Sequence, residues 1–315
     1  MSLNLGDSLV QYGSTCQSYV LLSAPFIEAS VVDRFLKVIS PDVNLQIITR
    51  WLPEEIAAGV NDLEVWHLLQ VHPQSRLLLR QDLHAKYYRF DRVCLIGSAN
   101  LTGKALGWSS SPNLELLVPL PADTSQLQAF EAELLTGCIE VDEGLYQQIS
   151  NTVQLLKEES FPAIAAEPTL EHSDIPADEP IASWLPTLRN PEELYLAYSG
   201  QWERLTTVAK DAAAQDLRFL RVIPNLPPKA FKAYIGTLLL QHPLIRQVDA
   251  FVETPQRFGA VRNLIATFPG RSHPEFNANR AWQTLMRWLL YFLPQRYTLS
   301  VPRHSEVFHR IPTEL

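Results

Sequence analysis

The sequence predicts an α/β domain followed by a second, mostly α-helical one, and three observations carry that division. Between residues 18 and 80, short apolar runs alternate with segments whose apolar residues recur at helical spacing. Residues 160–180 are rich in proline, alanine and acids and have little periodicity. Beyond residue 190, nearly every periodic segment has the helical period. A chain of 315 residues is long enough for two such cores.

Taken in order, Ser18 to Ala24 is all but continuously apolar and reads as a buried strand. Glu28 to Ile39 follows as a helix, with Val31, Val32, Phe35, Leu36 and Ile39 on one face. Asn44 to Thr49 is a second strand. Pro53 opens a helix toward Gly59, with Glu54 and Glu55 in the first turn, where negative charge suits the exposed amides. Asp62 to Val71 is a further helical piece and Arg76 to Arg80 a third strand. This alternation predicts parallel β-α-β units. Strands are then expected around Leu83 to Lys86, at Val93 to Ile96 and at Asn113 to Pro119, with helices at Gln126 to Leu135 and Glu143 to Glu158. The expected domains are thus residues 1–159, a linker at 160–180, and residues 181–315. In the last of these, helices are expected from Asn190-Pro191-Glu192-Glu193 onward, at Asp211 to Phe219, Lys229 to Gln241, Arg257 to Ala266 and Asn279 to Leu293. Pro294 ends the last helix, and Tyr297 to Val307 has room for a short strand pair. Trp282, Trp288, Tyr291 and Phe292 read as core.

Charge divides the chain too. The total is -8, but residues 1–184 hold 10 Lys+Arg against 24 Asp+Glu, while residues 185–315 hold 16 against 10. The acidic half opposes polyanion binding. The basic half, with Arg257, Arg262, Arg271, Arg280, Arg287, Arg303 and Arg310, permits a contact surface for a phosphate backbone, and helix solvation explains the same arginines equally well. Cys16, Cys94 and Cys138 are too scattered for a disulfide scaffold or a zinc cluster, so a reducing, cytoplasmic setting is expected. Cys94 reads as core. No signal peptide is evident, and no apolar run reaches the length of a membrane span.

The chemistry concentrates between Leu83 and Val118. His84 and Lys86, two apart on a strand, would share a face. The strand Val93 to Ile96 then turns at Gly97-Ser98 and presents Asn100. One imidazole, one ammonium, a hydroxyl and an amide form a set that can grip and attack a phosphodiester without a metal: a histidine as nucleophile, a second as general acid, and lysine and asparagine on the non-bridging oxygens. Glu115 is the carboxylate expected to orient the histidine. Ser98 is expected to donate to phosphate, and Gly97 to let the backbone come close. Arg80 and Lys104 flank the motif and either touch phosphate or are plain surface.

His84-Ala85-Lys86, Asp91 and Gly97-Ser98-Ala99-Asn100 together resemble the HKD signature of the phospholipase D superfamily, over roughly residues 15–135. The resemblance implies an α-β-α sandwich, no cofactor, no metal, and a phosphohistidine intermediate. Leu101-Thr102-Gly103 is similar to the nuclease-side members, and Glu115 falls where some of these carry the orienting acid. The family's site needs two motifs, and this chain has one copy. The resemblance therefore implies a homodimer with two His84 side chains facing one another. Asp91 lies unusually close to Gly97 and reads equally as a turn residue. A nucleic-acid substrate follows by the same resemblance, with the C-terminal domain contacting DNA or a protein partner, and a bacterial defence or DNA-modification system as a compatible setting. A lipid phosphodiesterase or phosphatidyltransferase is the alternative and would need an exposed apolar rim. A non-catalytic binding component is the third reading.

Overall fold

The computed structural model describes residues 4–158, 184–271, 276–302 and 306–312. The expected linker at 160–180 lies outside the described residues. The chain divides into two compact units, Met1–Pro168 and Thr169–Leu315.

The first unit is built on a seven-stranded mixed sheet. Its strands are β1 (Tyr19–Ser23), β2 (Asn44–Thr49), β3 (Ser75–Leu79), β4 (Tyr87–Phe90), β5 (Val93–Gly97), β6 (Leu117–Pro121) and β7 (Ile139–Glu140), in the order β6-β5-β4-β1-β2-β3-β7. Only β1, β2 and β3 are mutually parallel; β4, β5 and β6 form an antiparallel meander on one side and β7 an antiparallel edge on the other. The expectation of parallel units holds for the first three strands and stops there. The two-residue corner Asp91-Arg92 between β4 and β5 is too short for a crossover and forces a hairpin.

Helices α1 (Leu5–Thr15), α2 (Ala29–Leu36), α3 (Pro53–Ala57), α4 (Val65–Leu69), α5 (Ser125–Thr136) and α6 (Glu143–Glu158) complete this unit. One face of the sheet, through Leu21, Ile48, Leu78, Tyr87 and Cys94, packs on Leu134 and Phe130 of α5. On the other, Phe90 stacks on Tyr12 of α1 at 5.9 Å. The sequence reading passed over α1, whose Gly6 and Gly13 weaken the helical pattern. Gly6 is needed for packing: a Cβ there would lie 2.4 Å from the Trp108 ring.

The second unit is mostly helical: α7 (Glu193–Tyr198), α8 (Thr207–Leu220), α9 (Pro228–Leu240), α10 (Pro243–Phe251), α11 (Phe258–Ala266) and α12 (Ala278–Phe292). A small antiparallel sheet of β8 (Gln256–Arg257), β9 (Tyr297–Ser300) and β10 (Val307–Arg310) runs in the order β8-β10-β9. Trp282, Trp288 and Phe292 are buried as expected, whereas Tyr291 is half-buried. Trp184 stacks on Phe219 at 4.6 Å, and the Trp288 indole donates to the Leu188 carbonyl at 2.7 Å.

Candidate active site

The meander sets the site. In the β4–β5 pair Tyr87 faces Ile96, and in the β5–β6 pair Gly97 faces Leu117. His84 and Lys86, which precede β4, therefore leave the sheet at the same end as Ser98 and Asn100, which follow β5, and Glu115, which precedes β6. The carboxyl ends of β1, β2 and β3 meet at that end as well. Loops at the carboxyl ends of parallel strands are the usual place for a site in such sheets.

Two boundaries differ from expectation. His84 and Lys86 lie not on a strand but in the irregular stretch before β4, so the shared-face argument from strand alternation does not apply to them. The strand expected at Asn113 to Pro119 begins only at Leu117, because Asn113 and Glu115 turn toward Ser98.

His84 is exposed, and the Lys86 ammonium donates to the His84 carbonyl at 3.1 Å. The segment is held from behind. Arg50, at the end of β2, donates to the Leu83 carbonyl at 3.4 Å and forms an ion pair with Glu55. Both are nearly buried, and burial pushes the Glu55 carboxyl up to about 7 despite the guanidinium beside it. The sequence reading missed Arg50, which only the topology brings to this end.

Ser98 and Glu115 form one unit. The Ser98 hydroxyl donates to Glu115 Oε2, the Asn113 amide donates to Oε1 at 3.2 Å, and the Leu116 amide donates back to Ser98 Oγ at 3.2 Å. Glu115 was expected beside His84; the bonds it makes here go to Ser98 and Asn113. Gly97 is required, but by the chain itself: a Cβ there would meet the Leu116 carbonyl oxygen at 1.8 Å.

Asn100 is fixed through its neighbours. The buried Tyr88 hydroxyl donates to the Ala99 carbonyl at 2.6 Å, and the Leu101 amide donates to the Phe26 carbonyl at 3.2 Å. Burial, and then the charge of Glu115, pushes the Tyr88 phenol well up, so it stays a proton donor. The Asn100 Oδ1 is buried without a hydrogen-bond partner among the described residues.

Three flanking residues lie elsewhere. Arg80 donates to Asp82 at 2.7 Å and to the Leu134 carbonyl at the end of α5 at 3.0 Å, so its guanidinium is engaged in the fold. Lys104 is exposed in the loop after Asn100. Asp91 sits at the far end of β4, about 13 Å of strand away from the motif. Its φ is 47°, and its carboxylate accepts from the Gln17 amide at 2.8 Å, the Ser18 hydroxyl at 2.5 Å and the Tyr19 amide at 2.9 Å. Burial pulls this carboxyl up, but those bonds outweigh it and hold it well below the usual range. It is a turn and clamp residue.

Among the described residues no cluster of His, Cys, Asp and Glu is placed to hold a metal, and no helix is long and apolar enough to cross a membrane.

No family model and no curated protein matches the sequence. Solved structures do match, at low identity. NucT from Helicobacter pylori superposes with a TM-score of 0.35 at 19% identity, covering 43% of this chain and 89% of its own. Phosphatidylserine synthase from Haemophilus influenzae gives 0.35 at 15% identity, over 50% of this chain and 43% of its own. TrmBL2, described as an archaeal chromatin protein, gives 0.30 at 15%, over 44% and 52%. All three likenesses are distant and cover half of this chain or less.

Proposed function

We propose that the first unit is a metal-independent phosphodiesterase, a nuclease, working through a phosphohistidine on His84. What carries the reading is the gathering of His84, Lys86, Ser98, Asn100 and Glu115 at one end of the sheet by the β4–β5–β6 register. A ring nitrogen of His84 attacks phosphorus; the P–N bond forms as the P–O bond to the leaving oxygen breaks. Lys86, the Asn100 amide and Ser98 stabilise the charge that builds on the non-bridging oxygens. Glu115 holds Ser98, and with it the edge of the phosphate site. Water then attacks the phosphohistidine and frees the imidazole.

The leaving oxygen needs a proton donor opposite the nucleophile. The other histidines described in this unit are placed elsewhere: His67 contacts Tyr146, and His72 the Ser40 carbonyl. A second His84, from a two-fold partner, supplies the donor in this reading.

The decisive assay is plasmid cleavage in excess chelator. The wild-type chain is expected to cut, and His84→Ala to lose at least about a thousandfold in rate. Cleavage that survives His84→Ala, or that chelator abolishes in the wild type, overturns the reading.

One observation favours the lipid alternative. Leu114, Leu116 and Val118, on the segment that carries Glu115, are 102%, 64% and 40% exposed and give the site an apolar rim. Headgroup release from mixed phospholipid vesicles, with no cleavage of DNA, would decide for it.

A further inference from the structure

The second unit contains an order of elements that its sequence did not disclose. From residue 243 the chain runs helix α10, strand β8, helix α11, helix α12, then strands β9 and β10, and in the sheet the last strand lies between the first two. That order and that strand arrangement are those of a winged helix-turn-helix. The packing agrees. Trp282 of α12 meets Phe308 of β10 edge-on at 5.1 Å and Phe258 of α11 at 6.5 Å. The buried Asp249 of α10 accepts from Arg296 at 2.7 Å and from the Tyr297 hydroxyl at 2.6 Å, and so ties the first helix to the strand pair.

In this arrangement α12 takes the place of the helix that enters the major groove. Its inner face is buried through Trp282, Leu285, Met286 and Leu289. Its outer stripe, at spacings of three and four, is Arg280, Gln283 and Arg287, all exposed, with Asn279 exposed beside them. Among the described residues neither Arg280 nor Arg287 has an ion-pair partner. Arginine pairs with the guanine edge and glutamine or asparagine with the adenine edge, so these are base-reading side chains. From Arg280 to Arg287 the helix rises about 10 Å, close to three base-pair steps.

Charge selects the occupant. Residues 243–310, the whole of this arrangement, contain nine arginines against three glutamates and one aspartate, with no lysine. That surplus of five is most of the surplus of six over residues 185–315, where 16 basic residues face 10 acidic ones.

We propose that this unit binds duplex DNA, with α12 in the major groove and Arg280, Gln283 and Arg287 facing the bases. The inference stands apart from the phosphodiesterase reading, because binding needs no residue of the first unit. A fold alone does not set function; the arginine-glutamine-arginine stripe and the concentrated charge do the selecting.

The test uses the full chain carrying His84→Ala, so that any cleavage does not confuse binding. Anisotropy of a labelled 30-base-pair duplex of mixed sequence is followed from 50 to 200 mM KCl. The expected result is salt-sensitive binding that Arg280→Glu with Arg287→Glu weakens at least about thirtyfold, while the log–log salt slope falls by roughly two. Arg280→Gln with Arg287→Gln repeats the measurement with a gentler change and should show the same loss of slope. Gln283→Ala is expected to change base preference in a selection from random duplexes while leaving mixed-sequence affinity nearly intact. Unchanged affinity in both arginine pairs, no binding by the parent, or equal competition by single-stranded DNA or RNA of the same length each overturns the proposal.

Discussion

Asp91 and His84 lie at opposite ends of the same four-residue strand, and they differ in what surrounds them. Asp91 is half-buried, in the left-handed region, and its carboxylate collects the amides that begin β1. His84 is exposed at the end where the meander gathers polar groups. Replacing Asp91 by alanine removes several charge-assisted bonds and leaves a non-glycine residue at positive φ, so it should destabilise the unit by about 2–4 kcal/mol. The urea midpoint should fall, and turnover per folded molecule should stay near wild type. A large loss of turnover with unchanged stability would return Asp91 to the site. This pair also shows how far residue types alone can be read. Histidine, lysine and asparagine at these spacings were enough to mark one end of the sheet. The partners were not readable: that Glu115 would bond Ser98, or that Arg50 would reach the Leu83 carbonyl from thirty-three positions away, follows only from strand order.

At the scale of elements, most helices with a recurring apolar period were legible, and the shortest strands were not. The helices α5, α6, α9, α11 and α12 lie within a few residues of their expected limits. Helix α10 was not among the expected elements, although Pro243 suits the first turn it occupies. The two-residue strands β7 and β8 carry no period at all. Asp216 of α8 gives this scale its own test. It accepts from the Thr187 and Leu188 amides and the Trp184 indole, holding residues 184–188 against the helix. Burial nonetheless pushes its carboxyl up to about 6. A carboxyl raised in the folded state binds more protons there than in the unfolded chain, so its contribution is full below about pH 4 and is lost as pH rises through 6. Wild-type stability relative to Asp216→Asn should therefore decline between pH 4 and 7, by an amount on the order of 1–3 kcal/mol. A difference that is flat or rises with pH would contradict this.

Across the whole molecule, charge is divided unevenly. The first unit, with 20 acids to 10 bases over residues 1–168, makes an unattractive landing surface for a polyanion. In the proposed DNA-binding reading, the arginines of residues 243–310 supply the attraction instead. A nuclease arranged this way would depend on its second unit for capture and on its first for chemistry. Salt would then weaken capture first and leave the bond-breaking step nearly unchanged once substrate is held.

The central claim concerns one bond, between a ring nitrogen of His84 and phosphorus. Rapid quenching of a reaction on a phosphodiester substrate in excess chelator, followed by mass spectrometry of the peptide spanning residues 81–89, tests it directly. The account predicts an acid-labile phosphoryl adduct on His84 that forms and decays at the rate of turnover and is absent from His84→Ala. Turnover without any such adduct, or an adduct on another residue, would contradict it.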